Sequence, residues 1–260
     1  MLRTVRATRY VTPLREGGSL PAIIEADDDG MYVLKFRGAA QGPKVLIAEL
    51  ICGELGRALG LPIPEIVFVD FDPALGLNEP HEEIQALIEA SAGLNLALDY
   101  LPGSLGFDTV TLPEIDPALA SAIVWFDAYI TNVDRTPRNT NLLWWHRKLW
   151  LIDHGAALYV QHTWTDYLKR ARSPFAAIKD HVLLPVAGDL RGADEALAPR
   201  ITPALIEEIV AMVPDAWMRD DPAFADHAAQ RRAYVDYLVN RLESPRMFVE
   251  EAINVRAQFL

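Results

Sequence analysis

The first hundred residues alternate short apolar runs with turn-forming residues. Runs at residues 5–14, 21–26 and 31–36 are separated by REGGSL and DDDG, a pattern typical of strands joined by tight turns. Two more strand-like runs, EIVFVDFD and GLNLALDYL, follow later in this region. The pattern therefore predicts a small sheet, with its first three strands antiparallel.

A helical period replaces this alternation at residues 44–59, and Gly60, Pro62 and Pro64 end the predicted helix. After the break at residues 102–103, the pattern is helical except for a hairpin at residues 141–153. The later predicted helices are 117–131, 165–172, 203–213 and 227–242. This order predicts a two-lobed α+β fold.

The predicted small lobe, residues 1–100, contains the antiparallel sheet and one helix. The predicted larger lobe, residues 101–260, is mostly helical. Ligands often bind where two such units meet, so we expect a site at their junction.

Composition narrows the classes of function. The formal net charge of −12 disfavours binding to nucleic acid or to an anionic membrane surface. No run of eighteen apolar residues could span a bilayer, and the single cysteine, Cys52, excludes an intrachain disulfide. These features lead us to expect a soluble, cytoplasmic protein.

Candidate residues for catalysis and metal binding lie in the segment NVDRTPRNTNLLWWHRKLWLIDHG, residues 132–155. Asp134 and Asn139 stand in a D-x-x-x-x-N spacing, and a predicted hairpin leads from them to Asp153. A hairpin returns the chain to its start, so Asp153 is expected near Asn139. Carboxylate and amide oxygens suit Mg²⁺, and phosphoryl transfer uses one Asp as the base and an Asn and a second Asp as metal ligands.

A simpler interpretation assigns Asp134, Asn139 and their neighbours to turn formation and Asp153 to the end of a strand. The D-x-x-x-x-N spacing alone favours that interpretation. The hairpin and the terminal D-x-G together favour a site.

Lys35, in the strand MYVLKF, is a candidate to bind phosphate, although an exposed strand lysine is common. Glu49 lies on the predicted helix among neighbours without charge. Those neighbours are Val45, Leu46, Cys52 and Gly53. Because an unpaired buried carboxylate is costly, Lys35 is a reasonable partner for Glu49, the alternative being a solvent-facing Glu49.

Two further segments are candidates for contacts with a nucleotide. Backbone N–H groups of Gly17, Gly18 and Ser19, between the first two strands, could lie over phosphates, although glycines are ordinary in hairpin turns. Residues 96–103 could contact an adenine base through the backbone. The sequence contains no H-E-x-x-H or G-x-S-x-G motif, which disfavours a zinc protease or a serine hydrolase.

Taken together, REGGSL, VLKF, LIAELICGELGRALGLPIPE, NVDRTPRN and LWLIDHG resemble the HipA-like kinases, which are also similar to the phosphoinositide kinases. The resemblance implies a protein-kinase-like fold that uses ATP and Mg²⁺. By the same resemblance, Asp134 is the catalytic base, Asn139 and Asp153 are the metal ligands, and Glu49 holds the phosphate-binding Lys35. It also implies a Ser or Thr hydroxyl of a protein as the phosphate acceptor.

The sequence departs from the kinase patterns at several positions. Thr136 replaces the histidine of D-R-H-x-x-N, His154 follows the metal-binding Asp where many kinases have phenylalanine, and Asn132 and Val133 replace the H-R before the catalytic Asp. The predicted phosphate loop also lacks a full G-x-G-x-x-G. Two alternatives therefore stay open: a pseudokinase scaffold that binds a partner protein, and a small-molecule kinase. A regulatory partner protein is likewise left open.

Overall fold

Five strands of the N-terminal region form a closed barrel. The structure is a computed structural model that describes residues 2–14, 20–39, 42–218 and 221–259. The strands are β1 (Thr4–Pro13), β2 (Ala22–Ala26), β3 (Met31–Lys35), β4 (Ile66–Phe71) and β5 (Gly93–Asp99). Their order around the barrel is β1-β2-β3-β5-β4. The five predicted strands are thereby confirmed.

The barrel closes through a pairing that the sequence pattern did not indicate. β1 runs parallel to β4, with Val5 opposite Val69, whereas the other neighbouring strands are antiparallel. Alternation along β3 follows the prediction in part, because Tyr32 and Leu34 are buried in the barrel while Met31 is exposed. Lys35 is also buried, on the other face of the strand.

The helix α1 (Pro43–Ala58) matches the predicted helix at 44–59. Proline is favoured in the first turn, where its missing N–H costs no helical hydrogen bond. Gly60 ends the helix in a left-handed conformation, φ 79°, and Leu61 N–H donates to the carbonyl of Gly56 at 3.0 Å.

Two glycines let α1 approach its neighbours closely. A Cβ on Gly53 would lie 2.3 Å from Cδ1 of Ile66, and one on Gly56 would lie 2.4 Å from Cδ1 of Ile63 and 3.1 Å from Cζ of Phe126. The apolar face of α1 therefore packs tightly between the barrel and the later helices.

Helices predominate over strands after the barrel, and one further α-helix lies between β4 and β5. The described helices besides α1 are α2 (Glu82–Glu89), α3 (Pro117–Ile130), α4 (Tyr167–Ala171), α5 (Leu190–Leu197), α6 (Pro203–Ala211), α7 (His227–Leu242) and α8 (Met247–Arg256). The four later helices predicted from the sequence correspond to α3, α4, α6 and α7. The helices α2, α5 and α8 were not predicted from the sequence.

The predicted hairpin is confirmed, with β7 (Leu142–Trp145) antiparallel to β8 (Lys148–Leu151). His146 and Arg147 form the turn, with φ values of 48° and 62°, as two-residue hairpins require. A third, unpredicted strand, β6 (Leu105–Gly106), pairs with β7. Leu151 N–H donates to the carbonyl of Pro62 at 2.8 Å, which fixes the hairpin to the loop after α1.

Buried apolar residues form two clusters. One fills the barrel, and the other unites α1 with the later helices and with residues of β4 and β5 such as Ile66 and Leu96. The fold class is therefore α+β, as predicted, whereas the division at residue 100 stays a prediction. None of the helices in the described ranges is long and apolar enough to cross a membrane.

The close approach of α1 generates a prediction about stability. Gly56→Val should lower the free energy of unfolding by about 1–3 kcal/mol, because the added atoms overpack the contact with Ile63 and Phe126. Ala58→Val, at an exposed position of the same helix, should change it by less than about 0.5 kcal/mol. Urea unfolding of both variants checks this, and equal stability of the two would contradict the packing.

Candidate active site

One buried ammonium group joins three elements of the fold. Nζ of Lys35, at the end of β3, donates to Oε2 of Glu49 at 2.6 Å and to Oδ1 of Asp153 at 2.7 Å. Glu49 is fully buried on α1, Lys35 is 7% exposed, and the Asp153 side chain is 37% exposed. The expected contact between Lys35 and Glu49 is present, and Asp153 is a second partner that sequence analysis did not assign to Lys35.

The electrostatics of this group favour its charged form. Burial by itself would lower the pKa of Lys35, but Asp153 and Glu49 outweigh it and raise that pKa above its usual value. Burial would likewise raise the pKa of Glu49, but the Lys35 ammonium and the neighbouring His154 lower it to about 2. Lys35 is therefore held as a cation, and Glu49 as an anion, at neutral pH.

The segment after Asp153 also holds Glu49. The backbone N–H of His154 donates to Oε2 of Glu49 at 2.8 Å, and the fully buried His154 ring packs edge-on to Phe126 at 6.1 Å. A Cβ on Gly155 would lie 2.5 Å from Cγ1 of Val45, so only glycine fits against α1 there. The D-H-G sequence thus ties the hairpin end to the helix that carries Glu49.

A tight turn brings Asn139 back to Asp134. Thr136 and Asn139 exchange backbone hydrogen bonds of 3.0 and 3.2 Å, and Nδ2 of Asn139 donates to Oδ2 of Asp134 at 2.7 Å. Within the described residues, Oδ1 of Asp134 and Oδ1 of Asn139 accept no hydrogen bond. One carboxylate oxygen and one amide oxygen are therefore free for other ligands.

Arg135 joins this loop to the end of the hairpin. Its Nη1 donates to the carbonyls of Asn141 at 2.5 Å and Ile152 at 3.3 Å, and Ile152 directly precedes Asp153. Burial raises the pKa of Asp134, and the nearby charge of Asp153 raises it further. The two carboxylates are thus close enough to repel each other, although no direct contact joins Asp153 to Asp134 or Asn139 in the described part of the chain.

Left-handed backbone conformations occur at three residues near Asp134 and the end of the hairpin. They are Thr131, Asn141 and Asp153, with φ values of 55°, 49° and 56°. Asparagine and aspartate tolerate this region better than β-branched threonine, for which it is an outlier. Such strain is concentrated at functional sites, where the surrounding contacts enforce it.

Buried polar residues behind the loop, which were not predicted from the sequence, surround Asp127. The carboxylate of Asp127, on α3, accepts hydrogen bonds from Arg135, Asn132 and His181. The one signal in the sequence was Asp127 itself, a lone charge within the apolar helix ALASAIVWFDAYI. Its partners could not be read from spacing, because His181 lies far along the chain.

The available oxygens fit a magnesium ion whose remaining ligands come from phosphate and water. Oδ2 of Asp153 accepts no hydrogen bond from the described residues, and Asn139 offers Oδ1. The described residues contain no group of three His, Cys, Asp or Glu that could hold a metal by itself. Mg²⁺ typically uses one or two protein carboxylates with phosphates and water, so this sparse set suits it.

Gly17, Gly18 and Ser19 lie outside the described residues, so their role remains a prediction. The roles of Asp134, Asn139 and Asp153 likewise remain predictions, although their side chains are arranged as described above.

Comparisons with known proteins give one family match and one similar fold. The HipA-like kinase family model matches residues 8–250. A search of curated proteins found no match. A similar solved structure is that of the Helicobacter pylori proinflammatory kinase CtkA, with a TM-score of 0.58 and 13% identity, covering 99% of this chain and 98% of that one. At this identity the structural likeness concerns the fold, whereas the family match extends over most of the sequence. The chain belongs to the HipA-like kinase family.

Proposed function

We propose that this kinase transfers the γ-phosphoryl group of Mg²⁺-ATP to a hydroxyl acceptor. The observation that carries the proposal is the buried contact of Lys35 with both Glu49 and Asp153, at 2.6 and 2.7 Å. Such a contact holds a cation for nucleotide phosphates beside a carboxylate for the metal. Stability alone gives weak reason for burying the charges of Lys35 and Glu49, since apolar residues of similar volume often serve as well.

A two-lobed, kinase-like arrangement is part of the same proposal. The barrel has its own apolar cluster, and the later helices share another with α1. The division at residue 100 would put Lys35 and Glu49 in the small lobe and Asp134, Asn139 and Asp153 in the large one. ATP would lie between them, with its adenine against the backbone of residues 96–103.

Each side chain has a distinct task in this mechanism. Lys35 binds phosphate oxygens, Glu49 fixes the direction of its ammonium, and Asp153 and Asn139 would hold Mg²⁺. The metal, when bound, offsets negative charge on the phosphates. Asp134 orients the acceptor hydroxyl and takes its proton at the free carboxylate oxygen.

The transfer step then balances in bonds and protons. The acceptor oxygen forms a bond to the γ-phosphorus while the bond from that phosphorus to the bridging oxygen of ADP breaks. The proton of the hydroxyl moves to Asp134, and ADP leaves with the electron pair. Because burial and Asp153 raise the pKa of Asp134, this carboxylate is a stronger base than an ordinary exposed aspartate.

The acceptor that we propose is a Ser or Thr hydroxyl of a protein. This part rests on the family, and a small-molecule hydroxyl is the alternative. The net charge of −12 supports neither nucleic acid nor an anionic membrane surface as a direct partner.

Removal of the proposed base gives the first test. Asp134→Ala should lower the rate of phosphoryl transfer by about 10²–10⁴-fold, while the Kd for Mg²⁺-ATP changes by less than about threefold. Autophosphorylation mass spectrometry and calorimetric titration with Mg²⁺-ATP measure the two quantities. Asp70→Ala, at an exposed position of β4, is the matched control. Wild-type transfer by Asp134→Ala contradicts the assigned base, and ATP binding without transfer by the wild type indicates a pseudokinase scaffold.

The pH dependence of activity follows from the same carboxylate. Only ionised Asp134 can accept a proton, so kcat/KM should fall as the pH decreases through its pKa. Because that pKa is raised, the fall should occur above the ordinary aspartate value of 3.8. A pH–rate profile, with circular dichroism to show that the fold persists, tests this. A constant kcat/KM down to the ordinary value would contradict the assignment.

Acid destabilisation should report on the pair of Lys35 and Glu49. The pKa of Glu49 is lowered from 4.5 to about 2 in the folded protein. Ionised Glu49 therefore stabilises the fold fully above pH 4.5, and this stabilisation is lost as the pH falls toward about 2. The stability difference between the wild type and Glu49→Gln should therefore shrink by up to about 3 kcal/mol on acidification.

Glu54→Gln is the control for this measurement. Glu54 lies on the same helix, but burial raises its pKa, so the corresponding difference should change in the opposite direction. Urea unfolding at several pH values gives both differences. Parallel behaviour of the two variants would show that Lys35 does not hold Glu49 ionised.

A further inference from the structure

Asp127 is a buried carboxylate with three side-chain donors. It lies on α3, has no exposed surface, and accepts hydrogen bonds from Nε of Arg135 at 2.5 Å, Nε2 of His181 at 2.9 Å and Nδ2 of Asn132 at 3.0 Å. Although burial alone would raise the pKa of Asp127, Arg135 and His181 hold it well below its usual range. The helix thus presents a fixed anion to the chain that follows it.

Arg135 extends from this anion to both halves of the candidate site. It follows Asp134 in the chain, and its Nη1 reaches the carbonyls of Asn141 and Ile152. The backbone N–H of Ile152 also donates to the carbonyl of Asn141 at 3.0 Å. The planar guanidinium can bind a carboxylate and two carbonyls at once, which a lysine ammonium at the end of a flexible chain does less well.

His181 holds the arrangement from a third direction. The backbone N–H of Leu183 donates to its Nδ1 at 3.1 Å, so the neutral ring carries its proton on Nε2 and donates it to Asp127. The backbone N–H of Val182 donates to the carbonyl of Arg135 at 3.0 Å. Residues 181–183 are therefore attached to the loop through both side chain and backbone.

One nitrogen of the Arg135 guanidinium makes no hydrogen bond to the described residues, which lowers the stability of this arrangement. Nη2 of Arg135 is buried, and no residue in the described ranges accepts its hydrogen bond. An unsatisfied buried donor destabilises a fold, because it loses its hydrogen bonds to water without gaining others. A guanidinium is therefore better explained by the directions of its other hydrogen bonds than by stability.

We propose that Arg135 is a positioning residue that sets the separation of Asp134 from Asp153, and that Asp127 and His181 hold Arg135 in the required orientation. This inference rests on the proposed phosphotransferase function. Lys35 fixes Asp153 independently of Arg135, at 2.7 Å, whereas Asp134 depends on the loop that Arg135 anchors. Loss of Arg135 should therefore displace the base more than the metal-binding carboxylate.

The chain offers a matched control in Arg241. It is also buried, at 2% exposed against 1% for Arg135, and it donates to the carbonyls of Ala128 and Tyr129 on α3, each at 2.7 Å. None of its hydrogen bonds reaches residues 131–155. Arg241→Lys therefore perturbs a buried guanidinium that contacts the same helix, α3, without touching the site.

The experiment compares Arg135→Lys with Arg241→Lys, each corrected for its folded fraction by urea unfolding. Single-turnover consumption of Mg²⁺-ATP should fall by about 10²-fold in Arg135→Lys, because small displacements of reacting groups have effects of this size. The Kd for Mg²⁺-ATP should change by less than about threefold, and Arg241→Lys should keep the wild-type rate within the same factor. Equal rates per folded molecule in the two variants would overturn the proposal.

Two variants of His181 test the network without removing the guanidinium. Glutamine can place an amide N–H near the position of Nε2, so His181→Gln should keep most of the wild-type rate. Asparagine is too short to reach Asp127 in this way, so His181→Asn should lose about tenfold more activity at equal nucleotide affinity. Equal losses in both variants would show that the hydrogen bond to Asp127 has no positioning role.

Hydrogen exchange separates failure of this proposal from failure of the proposed function. If the wild type turns over no ATP, the phosphotransferase assignment fails, but the positioning can still be measured. Amides of residues 131–141 should then exchange faster in Arg135→Lys than in Arg241→Lys, while those of residues 148–151 stay protected in both. Unchanged protection of residues 131–141 in Arg135→Lys would overturn the positioning role.

Discussion

The site is organised by a single ammonium group buried between two carboxylates. An unpaired charge at that depth costs several kcal/mol, and Lys35 is paired with both Glu49 and Asp153. These residues belong to a barrel strand, to α1 and to the segment after a hairpin strand. The pairing therefore specifies how three separate elements meet, in addition to the apolar packing that brings them together.

A second buried cation, Arg135, fixes the loop after α3 to its neighbours. Arg135 links Asp127 on α3 to the carbonyls of Asn141 and Ile152, so the loop that carries Asp134 and the strand end that carries Asp153 share one anchor. Thr131 and Asp153, near the ends of this region, have left-handed backbone conformations, and such anchoring can enforce them. Charge pairing thus supplies the rigidity that a positioned base requires.

The family match and the site agree about the kind of chemistry. The chain is a HipA-like kinase, and the departures at Thr136 and His154 leave intact the contacts of Lys35 with Glu49 and Asp153 and of Asn139 with Asp134. His154 is buried beside Glu49 and packs against Phe126, so it fills a structural position next to Asp153. Thr136 takes part in the turn that returns Asn139 to Asp134, which the D-x-x-x-x-N spacing requires.

Local patterns in the sequence determined the barrel strands, α1, the later helices α3, α4, α6 and α7, and the hairpin, because hydrophobic periodicity records which face of an element is buried. They also indicated a partner for Glu49, since a carboxylate among apolar neighbours must be paired. Only the tertiary structure decided the parallel closure of β1 on β4, the second partner of Lys35, and the convergence of Arg135 and His181 on Asp127. Periodicity tells that a residue is buried but not which distant residue it meets, and that choice depends on how the elements pack together.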